Sequence, residues 1–142
     1  MVLRTLMYAG FFFGVATGCT SPADGLIDFR VTGGLSGRGD GTALHVEPDG
    51  TATRTNPDGG MQTVTLDPTT LAILHREIDD AQFPTLAPSY PGCCDHDVYD
   101  VTLQQGGATY HVSADSAAQI PAGLSTLIGT LQDIIRRPLD WQ

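Results

Sequence analysis

Residues 51–81 read TATRTNPDGGMQTVTLDPTTLAILHREIDDA, and the periodicity of the chain changes within this stretch. Two threonine-rich segments, 51–55 and 61–66, flank a turn rich in Gly and Pro, which predicts two strands with the second at a sheet edge. Asp67-Pro68 then supplies an N-cap and a first-turn proline for a helix. Apolar residues recur after it at three- and four-residue spacing: Leu71, Leu74, Ile78 and Ala81. The stretch therefore predicts strands followed by an amphipathic helix, with its charged residues facing solvent: Arg76, Glu77, Asp79 and Asp80.

The segments on either side extend this pattern in both directions. Polar and apolar residues alternate over 26–32, and further strands are predicted at 42–47, around 99–103 and around 110–112. A second helix follows Pro121 and ends before Pro138. We predict one α+β domain over residues 26–138, an antiparallel sheet of four to five strands with two helices packed on it.

The composition of the chain excludes several classes of function. The 142 residues contain no lysine, and the formal net charge is −9. Such a surface repels phosphate backbones, so we expect no nucleic-acid partner. Catalytic templates also fail, because Ser36 and Ser125 lack the second glycine of a nucleophile elbow and His75 lacks a second histidine four residues later. We predict a protein that is not an enzyme and needs no cofactor.

The first 25 residues have the pattern of an export signal and a tether. Arg4 precedes a run of about ten apolar residues, which is too short for a membrane-spanning helix. The run ends at Ala16-Thr17-Gly18-Cys19, which resembles the bacterial lipobox, although the position three before the cysteine is Ala instead of the usual Leu. We predict a lipoprotein signal over 1–18, a diacylglycerol group on Cys19 and a polar tether over 19–25. A plain cleaved signal and an uncleaved anchor are the alternatives.

This signal also predicts where the protein resides. A lipid on Cys19 would hold the domain at the bacterial cell envelope, with the membrane as a partner through that anchor. Thr20 stands where an Asp often marks inner-membrane retention, so the outer membrane is favoured if two membranes are present.

Cys93-Cys94 is the second unusual feature, because these are the two thiols that remain once Cys19 is lipidated. An exported compartment favours oxidation, so we expect a vicinal disulfide between Cys93 and Cys94 that stiffens the turn. Adjacent Cα atoms are closer together than relaxed disulfides prefer, so this bridge would be strained and easily reduced. Free or intermolecularly paired thiols and a redox switch are the alternatives. His96 nearby suggests zinc, but no second Cys/His cluster exists, so we predict no metal site.

The order of the predicted elements resembles the emfourin family, named for an inhibitor of thermolysin-like metalloproteases such as protealysin. The resemblance covers 26–137, nearly the whole predicted domain. It rests on these segments: the 31–37 run Val-Thr-Gly-Gly-Leu-Ser-Gly, the helix over 71–83 followed by Pro84 and Leu86, the 97–103 run Asp-Val-Tyr-Asp-Val-Thr-Leu, Gly106-Gly107, Tyr110-His111-Val112 and the helix led by Pro121. It implies a compact α+β domain that binds a protease and cuts nothing. The export signal and the Cys93-Cys94 pair depart from the family pattern.

Two loops are the candidate contacts with a protein partner. The first has five glycines in nine residues and includes the predicted contact residues Gly33, Gly34, Leu35, Ser36, Gly37 and Arg38. The second is the Pro- and Cys-containing segment 88–97. We expect a membrane-tethered protein that binds, and inhibits, an exported metalloprotease through one of these loops. The alternatives are an envelope lipoprotein that serves as a non-inhibitory protein-binding module, and a redox- or metal-sensing lipoprotein that uses Cys93 and Cys94.

Overall fold

A computed structural model describes residues 26–33, 41–137, 139 and 141–142. Its elements are, in chain order, β1 (Leu26–Gly33), β2 (Thr42–Val46), β3 (Thr51–Thr55), β4 (Met61–Thr65), α1 (Pro68–Ala81), a 3₁₀ turn (Phe83–Thr85), β5 (Ser89–Tyr90), β6 (Asp97–Gln105), β7 (Ala108–Asp115) and α2 (Ala122–Arg136). The α+β class and the two helices are therefore as predicted, and so is the position of β4 at an edge.

The strands form one sheet in the order β4-β3-β2-β1-β6-β7-β5. Every neighbouring pair is antiparallel except β5 and β7, which are parallel, so the sheet is mixed and has seven strands. The prediction of an antiparallel sheet with four to five strands was wrong. The parallel strand was missed because β5 has two residues, Ser89 and Tyr90, and two residues cannot display a period.

Local signals in the sequence explain where α1 begins. The Asp67 carboxylate accepts hydrogen bonds from the backbone N–H groups of Thr69 and Thr70 and from the Thr70 hydroxyl. These bonds, above all that from the Thr70 side chain, hold the pKa of Asp67 below its usual value. Gln82 ends the helix in the left-handed region, with φ 48°.

Both helices pack on one face of the sheet. Ile27, Phe29 and Val31 alternate with exposed or half-buried residues along β1, and they are buried in the same core as the apolar face of α2. Leu124, Leu127, Leu131 and Ile134 of α2 are almost fully inaccessible, at 0 % exposure each. The other face of the sheet carries no helix among the described residues and is polar.

One prediction about α1 was wrong. Glu77 was expected to face solvent, but it is only 8 % exposed and its Oε2 atom has no hydrogen-bond partner. It lies on the helix one position before buried Ile78 and three after buried Leu74, so the buried face of α1 is wider than the apolar residues alone mark.

Candidate functional site

The described ends of two loops that are far apart in sequence lie at one end of the sheet. Gly33 ends β1 and is the Cα partner of Asp97, the first residue of β6. A Cβ atom on Gly33 would lie 3.0 Å from the carbonyl oxygen of His96, so a side chain there would press on the second loop. With φ 86°, Gly33 also has a backbone conformation that favours glycine. The start of the 33–41 loop and the end of the segment before β6 therefore lie next to each other.

The turn between β3 and β4 lies at the same end. Gly41 closes the first loop by donating its N–H to the carbonyl of Val31, at 3.1 Å. A Cβ atom on Gly41 would lie 3.8 Å from Cα of Pro57, which belongs to the 56–60 turn. We call the surface formed by the base of the 33–41 loop, the 56–60 turn, the segment 91–96 and the turn after Asp115 the loop end.

The segment 93–96 is a tight turn held by backbone bonds. The N–H of His96 donates to the carbonyl of Cys94, at 3.0 Å, and the His96 ring nitrogen Nδ1 bonds to the carbonyl of Cys93, at 2.5 Å. Cys94 has φ 76°, in the left-handed region that a non-glycine residue seldom adopts. The turn therefore presents Cys93, Cys94 and Asp95 at the surface, where all three are exposed.

Cys93 and Cys94 are free thiols in the structure, so the disulfide between them stays a prediction. The hydrogen bond with the Cys93 side chain is the main cause that raises the pKa of the Cys94 thiol, and the nearby Asp115 carboxylate adds to it. Gly92 packs closely here, because a Cβ atom on it would lie 2.2 Å from Asp115 Oδ1. The turn after β7 is thereby joined to this loop, and Ser116 also donates its N–H to the carbonyl of Asp97.

Carboxylates dominate the charge of the loop end. Asp58, Asp95, Asp97 and Asp115 all belong to its turns or border them. Oδ1 of Asp97 is buried and has no hydrogen-bond partner among the described residues. The surface suits contact with a positively charged partner.

The start of β1 lies at the opposite end of the sheet. Leu26 is the Cα partner of Gln104, next to the 105–108 turn that joins β6 to β7. Ile27 is the partner of Val46, so the turn between β2 and β3 lies at this end too. The eight residues of β1 therefore separate the point where residue 26 enters the domain from the loop end by about 24 Å.

A polar row on the uncovered face of the sheet was not foreseen. Five residues are successive cross-strand partners: Thr53, His45, Asp28, Thr102 and His111. Nδ1 of His45 lies 2.7 Å from Asp28 Oδ1, and Thr102 Oγ1 lies 3.0 Å from His111 Nδ1. The sequence showed His45 and Asp28 on outward positions of their strands, but it could not show that β1 and β2 pair in the register that joins them.

This row borders a shallow depression of about 650 Å³. The His45 and Asp28 side chains are 38 % and 50 % exposed, so their pair is open to water. His111 Nε2 is 3.8 Å from Asp100 Oδ1, which makes a Thr102–His111–Asp100 series. Such a series can hydrogen-bond a polar group, but its open position gives none of the water exclusion on which strong electrostatic catalysis depends.

The remaining predicted site residues lie outside the described part of the chain. Cys19, the 1–18 signal and the tether belong to residues 1–25, and Gly34, Leu35, Ser36, Gly37 and Arg38 belong to 34–40. Within the described ranges, no set of three or more His, Cys, Asp or Glu side chains is grouped to hold a metal ion. None of the helices in those ranges has the length and apolar character needed to cross a membrane. No protein-family model matches the chain, and no curated protein matches it either.

Proposed function

We propose that this protein is a membrane-tethered binding module that inhibits a thermolysin-like metalloprotease outside the cytoplasm. The observation that carries the proposal is the position of the loop end, opposite the point where residue 26 enters the domain. A lipid anchor ahead of residue 26 would leave the loop end directed away from the membrane. A partner could then reach both candidate loops at once.

The geometry supports binding by a rigid surface. Strand pairing of Gly33 with Asp97 and the His96 bonds to Cys93 and Cys94 hold the loop bases in place. A preorganised surface loses less conformational entropy when a partner docks, which favours affinity. Its carboxylates would steer a partner with a basic surface toward it.

The test is a titration of residues 21–142, which contain the whole core, into a thermolysin-like metalloprotease with a peptide reporter substrate. We expect saturable inhibition near one-to-one stoichiometry that excess zinc does not reverse. Asp95→Arg at the loop end should raise the inhibition constant by about tenfold or more, because it places a positive charge where a basic partner docks. Deletion of residues 35–38 should weaken inhibition as well.

Gln105→Arg is the matched control, because Gln105 is exposed at the end of β6, at the opposite end of the sheet. It introduces the same side chain and should leave inhibition unchanged. Equal losses from both arginine variants would argue against the loop end as the contact surface. A lack of inhibition across several such proteases would favour a non-inhibitory envelope module, whose partner would then be sought among envelope proteins.

A further inference from the structure

The outer edge of β4 has few of the features that protect a sheet edge. The strand reads Met-Gln-Thr-Val-Thr, without a charge or a proline, and it pairs with β3 in unbroken register from Thr51↔Thr65 to Thr55↔Met61. Proteins usually guard such an edge with lysine, proline, a bulge or a covering segment. Met61 is 71 % exposed, and no other large hydrophobic residue in the described ranges is classed as exposed. Among the described residues, only Gln142 pairs with the outward backbone of β4, so the rest of the edge is open to strand pairing.

The hydrogen bonds of Thr63 show which backbone groups face outward. Its N–H donates to the carbonyl of Gln142, at 3.0 Å, and its carbonyl accepts from the N–H of Gln142, at 3.1 Å. Two residues that exchange both bonds are a hydrogen-bonded antiparallel pair. Because strand residues alternate in direction, Met61 and Thr65 also turn their N–H and carbonyl groups toward this edge.

Gln142 thus occupies one position of a strand that would otherwise lie along β4. It is exposed, and the pocket of about 360 Å³ beside it is lined by Thr63, Val64 and Thr65. The residue before it, Trp141, is held separately, with its ring under the Arg54 guanidinium at 4.7 Å. Among the described residues, the pair that an incoming strand has to displace is that of Gln142 with Thr63.

Charges at the two ends of β4 select the occupant. Asp58 lies in the turn before the strand and Asp67 directly after it, and both are exposed. If a second copy paired with β4 about a two-fold axis at Thr63, Asp67 would face Gly59 of that copy, next to its Asp58. Carboxylates would meet at both ends, so pairing between copies is disfavoured.

We propose that the β4 edge binds an extended segment of a partner protein, antiparallel to β4, that carries lysine or arginine on both sides of an uncharged core of about five residues. Its backbone pairs with Met61, Thr63 and Thr65 after Gln142 moves aside. Its basic residues lie against Asp58 and Asp67. This edge adjoins the loop end at the 56–60 turn, but its pairing through Met61, Thr63 and Thr65 does not depend on the proposed protease inhibition.

The test uses the full 142-residue chain and a labelled synthetic peptide of alternating threonine and valine with lysine at both ends. Fluorescence anisotropy should show saturable binding that weakens with salt, and a peptide with glutamate at both ends should not bind. In an NMR titration, amide shifts should be largest at Met61, Thr63 and Thr65 and small at β5. Removal of Gln142 should strengthen binding, because the peptide no longer competes with it.

Three variants separate the backbone from the charges. Thr63→Pro should reduce affinity by about tenfold or more, because it removes an outward N–H while the bonds to β3 remain. Thr63→Ala keeps that N–H and should bind normally. The double variant Asp58→Asn with Asp67→Asn should bind more weakly and with less salt dependence, because both charges are lost. Asparagine preserves both the turn and the helix cap.

Several results would overturn this assignment. Unchanged binding by Thr63→Pro would exclude the backbone pairing. Equal binding of the glutamate-ended and lysine-ended peptides would exclude selection by charge. A dimer in sedimentation that Thr63→Pro abolishes would show that the edge serves a second copy instead. The NMR shifts of the unaltered chain are an independent measurement that does not depend on how well Thr63→Pro folds, and shifts away from β4 would also overturn the assignment.

Discussion

Cys94 combines a left-handed backbone conformation with a raised pKa. Its φ of 76° turns the chain sharply before Asp95, and the turn is closed by the bond from His96 N–H to the Cys94 carbonyl. The thiol shares a hydrogen bond with Cys93 and lies near the carboxylate of Asp115, and both raise the pKa of Cys94. A raised pKa means less thiolate at a given pH, and the thiolate is the reactive form.

We therefore expect slow alkylation of Cys94 at neutral pH. The alkylation rate of Cys94 should rise over a higher pH range than that of a free cysteine, whose pKa is about 8.5. Cys93→Ala removes the main cause of the shift, so Cys94 should then react faster at neutral pH. Site-resolved mass spectrometry after iodoacetamide treatment under reducing conditions measures both rates. Identical pH profiles in the two proteins would contradict this assignment of the shift.

The contact between α1 and α2 depends on a close approach at Gly123. A Cβ atom there would lie 2.6 Å from the carbonyl oxygen of Asp80 and 3.0 Å from Cα of Ala81, which are both backbone atoms. The first turn of α2 therefore crosses the end of α1 where only glycine fits. Gly129 lies six residues further along α2, and a Cβ atom on it would meet nothing within 4 Å.

These two glycines make a matched pair for mutation. Gly123→Ala should lower the free energy of unfolding by about 1–3 kcal/mol, because the added methyl group overpacks the helix contact. Gly129→Ala should raise it by about 0.5–1 kcal/mol, because alanine is the better residue inside a helix. Urea denaturation of both variants measures the difference. Destabilisation of equal size at both positions would show that the helices do not approach each other as described.

Arg54 connects parts of the molecule that are distant in sequence. Its guanidinium donates to the carbonyl of Ile135 near the end of α2, at 2.8 Å, and to the side-chain oxygen of Gln62 on β4. It also lies over the Trp141 ring. One side chain on β3 thus ties the edge of the sheet to the last turn of α2 and to the residues after it.

Arg54→Ala should lower the free energy of unfolding by about 1.5–3 kcal/mol, the usual contribution of hydrogen bonds from a charged group. Trp141 is the single tryptophan of the chain, so its emission should shift to the red as the ring becomes more hydrated. Arg76→Ala, on the exposed face of α1, is the control and should change stability by less than about 0.5 kcal/mol. Equal stability and unchanged emission in Arg54→Ala would contradict the connecting role.

Local patterns in the sequence were sufficient for much of the fold. The alternation of Ile27, Phe29 and Val31 marked the buried side of β1, and Asp67-Pro68 marked the start of α1. Both signals depend on interactions within a few residues. The glycines of the first loop and the cysteine turn of the second were visible for the same reason.

Tertiary structure alone decided what those pieces form together. The pairing of Gly33 with Asp97 sets the bases of the two loops side by side, and that of Asp28 with His45 creates the polar row. The two-residue strand β5 and the burial of Glu77 likewise depend on distant partners. The physical reason is that register and helix packing depend on contacts between residues remote in sequence. The sequence by itself determined the elements, their buried faces and the acidic surface, whereas pairing and packing decided where the loops, the β4 edge and the start of β1 lie.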